Sequence, residues 1–197
     1  MRRADDLSNA RAQDLNDYGW ESLRHCVGAG EPLNPEIIET WQQATGILIR
    51  DGYGQTESVI LCGSFPCLEV KYGSMGKPAP GVDLQIIDND GAILPTDQEG
   101  DIAVRISPEH PLGLFTGYAK STGDNSECFK GDWYLTGDRA VRDSDGYFWF
   151  VGRADDVIIS AGYRIGPFEV ESALLEHEAV VESAVVASPD EMRGEVV

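Results

Sequence analysis

A chain of 197 residues, of which 42% are hydrophobic, is long enough for one or two folded domains with a sizeable core. Its 34 acidic side chains outnumber its 15 basic ones, which gives a formal net charge of −19. That charge repels phosphate backbones, so we expect no nucleic-acid partner, although a local basic group can still hold a small phosphorylated ligand.

The four cysteines and the first residues indicate the compartment. The cysteines stand at positions 26, 62, 67 and 128, too few for a disulfide scaffold and without the spacing of zinc ligands. We therefore expect reduced thiols in an intracellular compartment, either the cytoplasm or, in a eukaryote, the mitochondrial matrix. Asp5 and Asp6 stand where a secretory signal would continue with apolar residues, and no apolar run is long enough to span a membrane. The sequence does not indicate an oligomeric state.

The first part of the chain has the pattern of an α/β unit. Residues 1–18 are polar without a convincing apolar period, which predicts a frayed helix or a disordered arm. A helix is predicted between Asn34, which can cap it, and Gly46, which ends it, with Pro35 at its first position. The strands predicted before and after this helix cover residues 23–27 and 47–49. Strand, helix and strand in this order predict a parallel α/β sheet.

A polar, glycine-containing segment directly follows the second predicted strand. It covers residues 51–57 and reads DGYGQTE. Ligands of open α/β sheets bind beyond the carboxyl ends of the strands, so the position of this segment predicts a ligand site.

From residue 73 the sequence changes to short strands separated by Gly, Pro, Asn and Asp, which predicts a β-rich subdomain. Its clearest strands are predicted at residues 84–87, 101–106 and 147–151. A tight turn at Asp145-Gly146 precedes the last strand, and Gly152 ends it. Residues 153–156, RADD, then interrupt the apolar pattern. Pattern alone leaves open that this segment is the solvated corner of a β-hairpin.

The last part of the chain predicts a small α+β unit. Its elements are a strand at residues 157–159 closed by Gly162, a helix at 168–177 with Pro167 near its start, and a strand at 180–186. Residues 195–197 have the composition of a further strand. A strand cut off after three residues leaves a neighbour with unpaired backbone groups, so we expect a truncated chain.

Three motifs occur in a fixed order along the chain. They are YGQTE at residues 53–57, YLTGD at 134–138 and GRADD at 152–156. Together they resemble the adenylate-forming superfamily, which includes acyl-CoA synthetases, adenylation domains and luciferases. The glutamine of YGQTE, the segment GYRIGP and the tail SPDEMRGEVV resemble the medium-chain acyl-CoA synthetases most. The resemblance runs from about residue 23 to the end of the chain.

The resemblance implies a two-step reaction. A small carboxylic acid attacks ATP to give an acyl-adenylate and pyrophosphate, and the thiol of coenzyme A then displaces AMP, with Mg²⁺ as the metal. It implies that residues 19–154 are the C-terminal portion of the large AMP-binding domain, with an α/β part to residue 72 and a β-rich subdomain from residue 73. Residues 155–197 would begin the small, mobile C-terminal domain, and residues 1–18 would remain a polar arm.

The resemblance also implies a nucleotide site. Tyr53 would stack on adenine, Gly54 would permit the close turn, and Asp138 would accept hydrogen bonds from the ribose hydroxyls. Thr56 would offer its hydroxyl to phosphate and Glu57 an oxygen ligand to Mg²⁺, which makes these two the catalytic pair. The other residues implied for ATP or AMP are Gly28, Gly30, Glu31, Pro32, Asp51, Gly52, Gln55 and Arg153.

For the second step the resemblance implies a separate set of residues. Asp155 stands at the family's hinge, whose backbone torsions change when the small domain moves. The residues implied for coenzyme A are Ala161, Gly162, Tyr163, Arg164 and Arg193. Guanidinium groups suit its phosphates in geometry and charge.

Each of these roles has a plainer alternative. Thr56 can cap a helix, Asp138 can close a turn, and Arg153 can be a surface charge paired with Asp155 or Asp156. The aromatic residues expected in the core rather than at a ligand are Trp133, Phe148 and Trp149.

Two elements of the superfamily have no counterpart in the sequence. Nothing before Tyr53 resembles its lysine-ending phosphate loop, and all four lysines precede the hinge. Because each lost donor commonly lowers a rate about 10²–10³-fold, we expect this chain alone to be inactive. Two other functions stay open: a module that binds nucleotide without catalysis, and a domain that activates amino acids for a carrier protein.

Overall fold

The computed structural model describes residues 15, 18–118, 128–175, 177, 179–180 and 183–197. Within these ranges the chain forms two helices, α1 (Pro35–Thr45) and α2 (Pro167–Leu175), and three sheets. No described helix has the length and apolar character needed to cross a membrane. Apart from Leu15 and Tyr18, the predicted arm lies outside the described residues. Leu15 is buried against Trp41, and its carbonyl accepts a bond from the indole of Trp20.

The first sheet has four strands in the order β1-β2-β3-β4. They are β1 (Cys26–Ala29), β2 (Ile49–Gln55), β3 (Val59–Gly63) and β4 (Lys77–Pro78). The first two strands are parallel, as the strand, helix and strand predict, but the other two pairs are antiparallel. The sheet is therefore mixed rather than parallel, because a short turn joins β2 to β3 and strands joined this way run in opposite directions.

Helix α1 has the predicted ends. The Asn34 side chain accepts a hydrogen bond from the backbone N–H of Glu36 at 2.8 Å. At the other end Gly46 has φ 72°, a left-handed conformation that glycine adopts without steric cost. The buried side chains Ile38 and Trp41 pack with Ile49 of β2, which fixes the helix on the sheet.

The bounds of the first two strands differ from the prediction. β1 begins at Cys26 rather than residue 23 and contains Gly28, while β2 begins at Ile49 and continues to Gln55. The prediction that residues 51–57 follow the strand was wrong for residues 51–55, which belong to β2 and of which residues 52–55 pair with residues 59–63 of β3, whereas Thr56 and Glu57 do lie in the turn after it. Residues 51 and 52 of this segment pair with β1 and residues 52–55 pair with β3, so most of the segment lies in the sheet rather than in a loop.

The second sheet has the order β5-β6-β8-β7, and β9 pairs with β8. Its strands are β5 (Leu84–Ile87), β6 (Glu99–Arg105), β7 (Phe129–Lys130), β8 (Trp133–Arg142) and β9 (Phe148–Arg153). The prediction for β5 is confirmed, whereas β6 begins and ends earlier and β9 continues through Gly152. Trp133 and Phe148 are buried as expected, while Trp149 is half-buried and donates its indole N–H to Asp143.

The third sheet has the order β11-β10-β13-β12. Its strands are β10 (Ile158–Ser160), β11 (Tyr163–Ile165), β12 (Ser188–Asp190) and β13 (Gly194–Val196). The predicted strand at 180–186 was wrong over residues 183–186, which are not a strand; residues 181–182 lie outside the description. This segment instead bonds to helix α2, since Ser183 donates to the Glu171 carbonyl and the Glu171 carboxylate accepts the N–H of Val185. Helix α2 ends at Leu175, two residues before the predicted end.

Residues 154–157 connect the second sheet to the third. β9 pairs with β8, and β10 pairs with β11 and β13, so the strands on the two sides of RADD belong to different sheets. The alternative of a single hairpin with a charged corner was therefore wrong. The charged segment is instead the covalent link between the two parts of the chain.

The turn between β2 and β3 depends on Gly54. A Cβ atom at Gly54 would lie 1.7 Å from the carbonyl oxygen of Val59 and 2.7 Å from its carbonyl carbon. Both are backbone atoms of the paired strand, so no side-chain rotation relieves the contact. Val59 itself has φ 50°, which is unfavourable for a β-branched residue.

We predict that Gly54→Ala lowers the free energy of unfolding by about 1–3 kcal/mol or more, the range for overpacked sites, because the hairpin must open to accept the methyl group. Gly152→Ala is the matched control, since a Cβ there meets its nearest atoms at an ordinary 3.6 Å. Urea unfolding followed by circular dichroism measures both. Equal midpoints for the two variants would contradict the close approach at Gly54.

Candidate functional site

A cleft of about 670 Å³ lies between residues of the first two sheets and residues that follow β9, from Asp155 onward. Ten of the twelve residues predicted for the nucleotide line it, together with the predicted hinge residue Asp155. The ten are Gly30, Glu31, Pro32, Asp51, Gly52, Tyr53, Gly54, Gln55, Asp138 and Arg153. Gly28 and Thr56 are not among the lining residues, and neither is any residue predicted for coenzyme A.

Two strands from different sheets build the floor of the cleft. Tyr53 and Gln55 both belong to β2, on either side of Gly54, and both side chains reach Asp138. Asp138 comes from β8, and its Oδ2 accepts hydrogen bonds from the Tyr53 hydroxyl at 2.5 Å and from the Gln55 amide at 3.0 Å. The Gln55 amide also donates to the Thr136 carbonyl at 2.8 Å. These bonds join the first sheet to the second at the site.

Burial shifts the pKa values of the two groups in this contact, the Asp138 carboxyl and the Tyr53 hydroxyl. Asp138 is only 8% exposed, and the resulting desolvation raises the pKa of its carboxyl, while the bonds from Tyr53 and Gln55 and the charge of Arg153 oppose that rise. Burial and the adjacent Asp138 carboxylate also raise the pKa of the Tyr53 hydroxyl. Tyr53 therefore keeps its proton and donates it in a hydrogen bond.

Tyr53 packs against the buried core of the second sheet while lining the cleft. Its hydroxyl is anchored by Asp138, and packing against the core limits rotation of the ring. A fixed aromatic face is what stacking requires, and contact with adenine stays a prediction.

Thr56 and Glu57 lie in the turn between β2 and β3. A strand follows them, so Thr56 caps no helix, and it is the Ser58 hydroxyl that accepts the N–H of Gln55 at 3.0 Å. Thr56 is exposed, and Glu57 is half-buried with Oε1 bonded to the Tyr118 hydroxyl at 2.8 Å. The sequence motifs gave no sign of the Ser58 and Tyr118 contacts.

The oxygen ligands around Glu57 limit the kind of metal it can hold. No group of three or more His, Cys, Asp or Glu side chains suited to a metal occurs among the described residues. One carboxylate fits Mg²⁺ bound mainly through water and substrate phosphates, which is the common arrangement for that ion. It does not fit a metal that needs a complete cage of protein ligands.

Arg153 forms a two-pronged ion pair with the hinge residue. Its Nε lies 2.9 Å from Asp155 Oδ1 and its Nη2 lies 3.2 Å from Oδ2. The surface pairing considered for Arg153 is thus present, although the residue also lines the cleft and is the ladder partner of Asp138. Both side chains of the pair are exposed, so solvent weakens it.

Asp51 is the second buried carboxyl of the cleft. It is 8% exposed, and its Oδ1 accepts the N–H of Gly52 at 2.9 Å. Desolvation raises the pKa of Asp51 to about 6, against the opposing hydrogen bonds from the backbones of Gly52 and Leu33. The carboxyl therefore changes charge close to neutral pH.

The residues predicted for coenzyme A form a separate, exposed group. Ala161 and Gly162, with φ 50° and 85°, form the turn between β10 and β11, and Tyr163 follows with 76% exposure. The N–H of Ala161 donates to the carbonyl of Arg193 at 2.8 Å. Arg193, which is far from the other four residues in sequence, therefore lies beside their loop. Arg164 points toward the second sheet, where its Nη1 is 3.7 Å from Glu99 Oε1.

The rest of the cleft wall carries no motif that could have revealed it. The apolar members of this wall are Met75, Phe150, Val157, Pro167, Phe168, Val185, Val186 and Ala187. The acidic side chains that line the cleft, including those predicted, are Glu31, Asp51, Asp138, Asp155, Asp156, Glu171 and Glu195. Arg153 is the single cationic side chain among the described lining residues. The cleft is therefore strongly acidic.

We predict that Asp51→Asn stabilises the chain at neutral pH. The raised folded pKa means that the contribution of Asp51 to wild-type stability is greatest below the unfolded value of 3.8 and falls until the pH passes about 6. A shift of this size corresponds to about 2–3 kcal/mol, and asparagine lacks the charged form that causes the loss.

Urea unfolding at pH 4 and pH 7.5 measures the effect. We expect the difference between Asp51→Asn and wild type to grow from pH 4 to pH 7.5, while the exposed control Asp90→Asn follows the wild type at both. A difference independent of pH would show that Asp51 does not titrate in this range.

The sequence matches known families over most of its length. The family described as "AMP-binding enzyme" matches residues 3–119, and the one described as "AMP-binding enzyme C-terminal domain" matches residues 169–197. The mitochondrial acyl-coenzyme A synthetase ACSM3 of Mus musculus is 57% identical over 93% of this chain. The mitochondrial ACSM4 of Homo sapiens is 58% identical over 94%. The chain spans 32% of the length of each.

Solved structures agree with these matches. An anthranilate CoA ligase, AuaEII, in complex with anthranoyl-AMP superposes with a TM-score of 0.85 at 34% identity, covering 95% of this chain and 36% of that one. The acyl-CoA synthetase of Brucella canis is 42% identical, with a TM-score of 0.67 over 94% of this chain and 34% of that one. The first family matches more than half of the residues, and its match contains the YGQTE motif. The chain therefore belongs to the AMP-binding enzyme family.

Proposed function

We propose that this chain is part of an AMP-forming acyl-CoA synthetase. Such an enzyme activates a medium-chain carboxylic acid with ATP and transfers the acyl group to coenzyme A. One observation supports this above the others. The cleft brings together residues 30–32, residues 51–55 and the pair Asp138 and Arg153, which are the segments expected to bind a nucleotide. The names of ACSM3 and ACSM4 supply the reaction class, and the YGQTE glutamine and GYRIGP segment supply the medium-chain preference.

Within the cleft, different residues contact the adenine and the ribose of the nucleotide. Residues 30–32 form one wall for adenine, and the fixed ring of Tyr53 offers a stacking face. Asp138 accepts from the ribose hydroxyls through Oδ1, since Oδ2 already accepts from Tyr53 and Gln55 and an ionised carboxylate oxygen can accept more than one bond. Arg153 reaches the nucleotide near its ribose once it releases Asp155.

The phosphate end lies toward the turn between β2 and β3. Thr56 donates its exposed hydroxyl to a phosphate oxygen, and Glu57 holds Mg²⁺ in exchange for its bond to Tyr118. Mg²⁺, when bound, neutralises charge on the phosphates. The chain's contribution here is to position two oxygens on a hairpin that Gly54 keeps tight.

The coenzyme A step belongs to residues 155–197, which we propose move as a small domain about Asp155. In the present arrangement the loop of Ala161 to Arg164 stays outside the cleft, and Arg164 lies near Glu99. Rotation about the hinge has to part the Arg153–Asp155 and Glu99–Arg164 pairs. Both pairs have exposed members, so their loss presents a small barrier.

We infer a mitochondrial location from the names of the curated relatives. We also propose that the chain by itself binds adenylates without forming them, because the sequence offers no phosphate loop and no lysine after the hinge. The second candidate function is a nucleotide-binding module, which the cleft supports because its described lining contains the residues expected for the nucleotide and none of those expected for coenzyme A. Catalysis separates the two, because only the synthetase function predicts acyl transfer in a protein that supplies the remaining groups.

We predict that the purified chain binds AMP, measured by titration calorimetry, and that Asp138→Asn weakens AMP about 10- to 100-fold, as expected for hydrogen bonds to a charged group. Asp90→Asn removes the same charge at an exposed position outside the cleft and leaves the affinity unchanged. Absence of AMP binding by the folded chain would overturn the nucleotide assignment.

In the same samples, ATP–pyrophosphate exchange with octanoate should stay at background, and exchange at an ordinary enzymatic rate would contradict the proposed inactivity of the chain alone.

A further inference from the structure

The side chain of Gln55 is the most completely bonded polar group of the cleft. Its two amide hydrogens go to Asp138 Oδ2 at 3.0 Å and to the Thr136 carbonyl at 2.8 Å. Its carbonyl Oε1 accepts a bond from the Tyr134 hydroxyl at 2.9 Å. Both acceptors can be served only by the NH₂ group, so the orientation of the amide is determined by its neighbours.

The anchors of Gln55 are themselves rigid. Tyr134 is 2% exposed in the core of the second sheet, and Thr136 lies two residues farther along the same strand, β8. Gln55 itself is held in β2 by its ladder pairing with Val59. The amide therefore has little freedom to turn toward a ligand, and its donors are already used.

These bonds determine how the Asp138 carboxylate is turned. In the described part of the chain, both hydrogen bonds that this carboxylate accepts from side chains end on Oδ2, one from Tyr53 and one from Gln55. The torsion that turns an aspartate carboxylate is broad, so a single bond leaves it free to rotate about that contact. Two donors from different directions fix it, and Oδ1 is left for a ligand.

We propose that Gln55 is a positioning residue that presents Oδ1 of Asp138 to the two hydroxyls of a ribose, and so sets the preference of the cleft for ribonucleotides. This inference rests on the proposed nucleotide function. Gln55 contributes without touching the ligand, which differs from the direct nucleotide contact expected from the motif. A single carboxylate oxygen has lone pairs enough to accept from both hydroxyls when its direction is fixed.

A merely structural role makes a different prediction. If Gln55 only ties β2 to β8, its loss weakens every ligand of the cleft equally through a general loosening. If it positions Asp138, its loss weakens ligands that carry the ribose hydroxyls and spares those that lack them. The ratio of two affinities therefore separates the two roles.

The test compares AMP with 2′,3′-dideoxyadenosine 5′-monophosphate by titration calorimetry on the full chain. We expect wild type to prefer AMP at least about tenfold, and Gln55→Met, which keeps the length of the side chain, to reduce the preference to within about twofold by weakening AMP alone. Tyr134→Phe is the matched control, because it removes a bond to Gln55 but keeps both donors of the amide. It should keep the wild-type preference.

Gln55→Leu supports the test if the methionine variant fails to fold, since its apolar side chain has no hydrogen to donate to Asp138 and adds no charge to the cleft. It should also lose the preference for AMP. An unchanged preference in a folded Gln55 variant, with both affinities weakened equally or not at all, would overturn the positioning role and leave the nucleotide site intact. Equal binding of the two ligands by wild type would overturn the ribose contact of Asp138 as well.

Discussion

The candidate site depends on one carboxylate oxygen of strand β8, which accepts two hydrogen bonds from side chains of strand β2. Oδ2 of Asp138 in β8 receives the hydroxyl of Tyr53 and the amide of Gln55, both from β2. Because these strands belong to different sheets, the bond geometry fixes the distance between the sheets and hence the width of the cleft. Burial makes each bond stronger than it would be in water, and would make an unpaired group there costly.

The hairpin of β2 and β3 holds the other half of this contact in place. Gly54 lies between Tyr53 and Gln55, and its missing side chain lets the Val59 carbonyl approach closely. The approach shifts the register of the ladder between Tyr53 and Gly54. A bulge of this kind turns the flanking side chains, which explains why a glycine stands between the two residues that reach Asp138.

What the sequence could predict follows from how local each feature is. Helix α1 was placed correctly because Asn34, Pro35 and Gly46 define its ends by themselves. The bounds of β2 were not, because its ladder with β3 includes polar residues that look like a loop. Ten residues of the cleft were found through motifs, but the bond from Gln55 to Asp138 spans 83 residues and leaves no local signal.

The apolar and acidic walls of the cleft were missed for the same reason. Phe168 reaches the cleft because α2 contacts β9, and Val185 because its N–H bonds to Glu171 of α2, and no short motif encodes that packing. The helix predicted after Pro167 was correct in kind, yet its role in the cleft depends on the fold. Strand β12 was misplaced because the Glu171 side chain and carbonyl take bonds from the segment that precedes it.

The acidic lining has a consequence for how strongly each species is held during the proposed reaction. Seven carboxylates face the cleft with one arginine, so every negative charge on a ligand there raises its electrostatic free energy. ATP brings a polyphosphate tail, whereas an acyl-adenylate keeps one ionised phosphate. In the reaction proposed above, this lining would therefore disfavour ATP more than an acyl-adenylate, and the departure of pyrophosphate would relieve electrostatic repulsion.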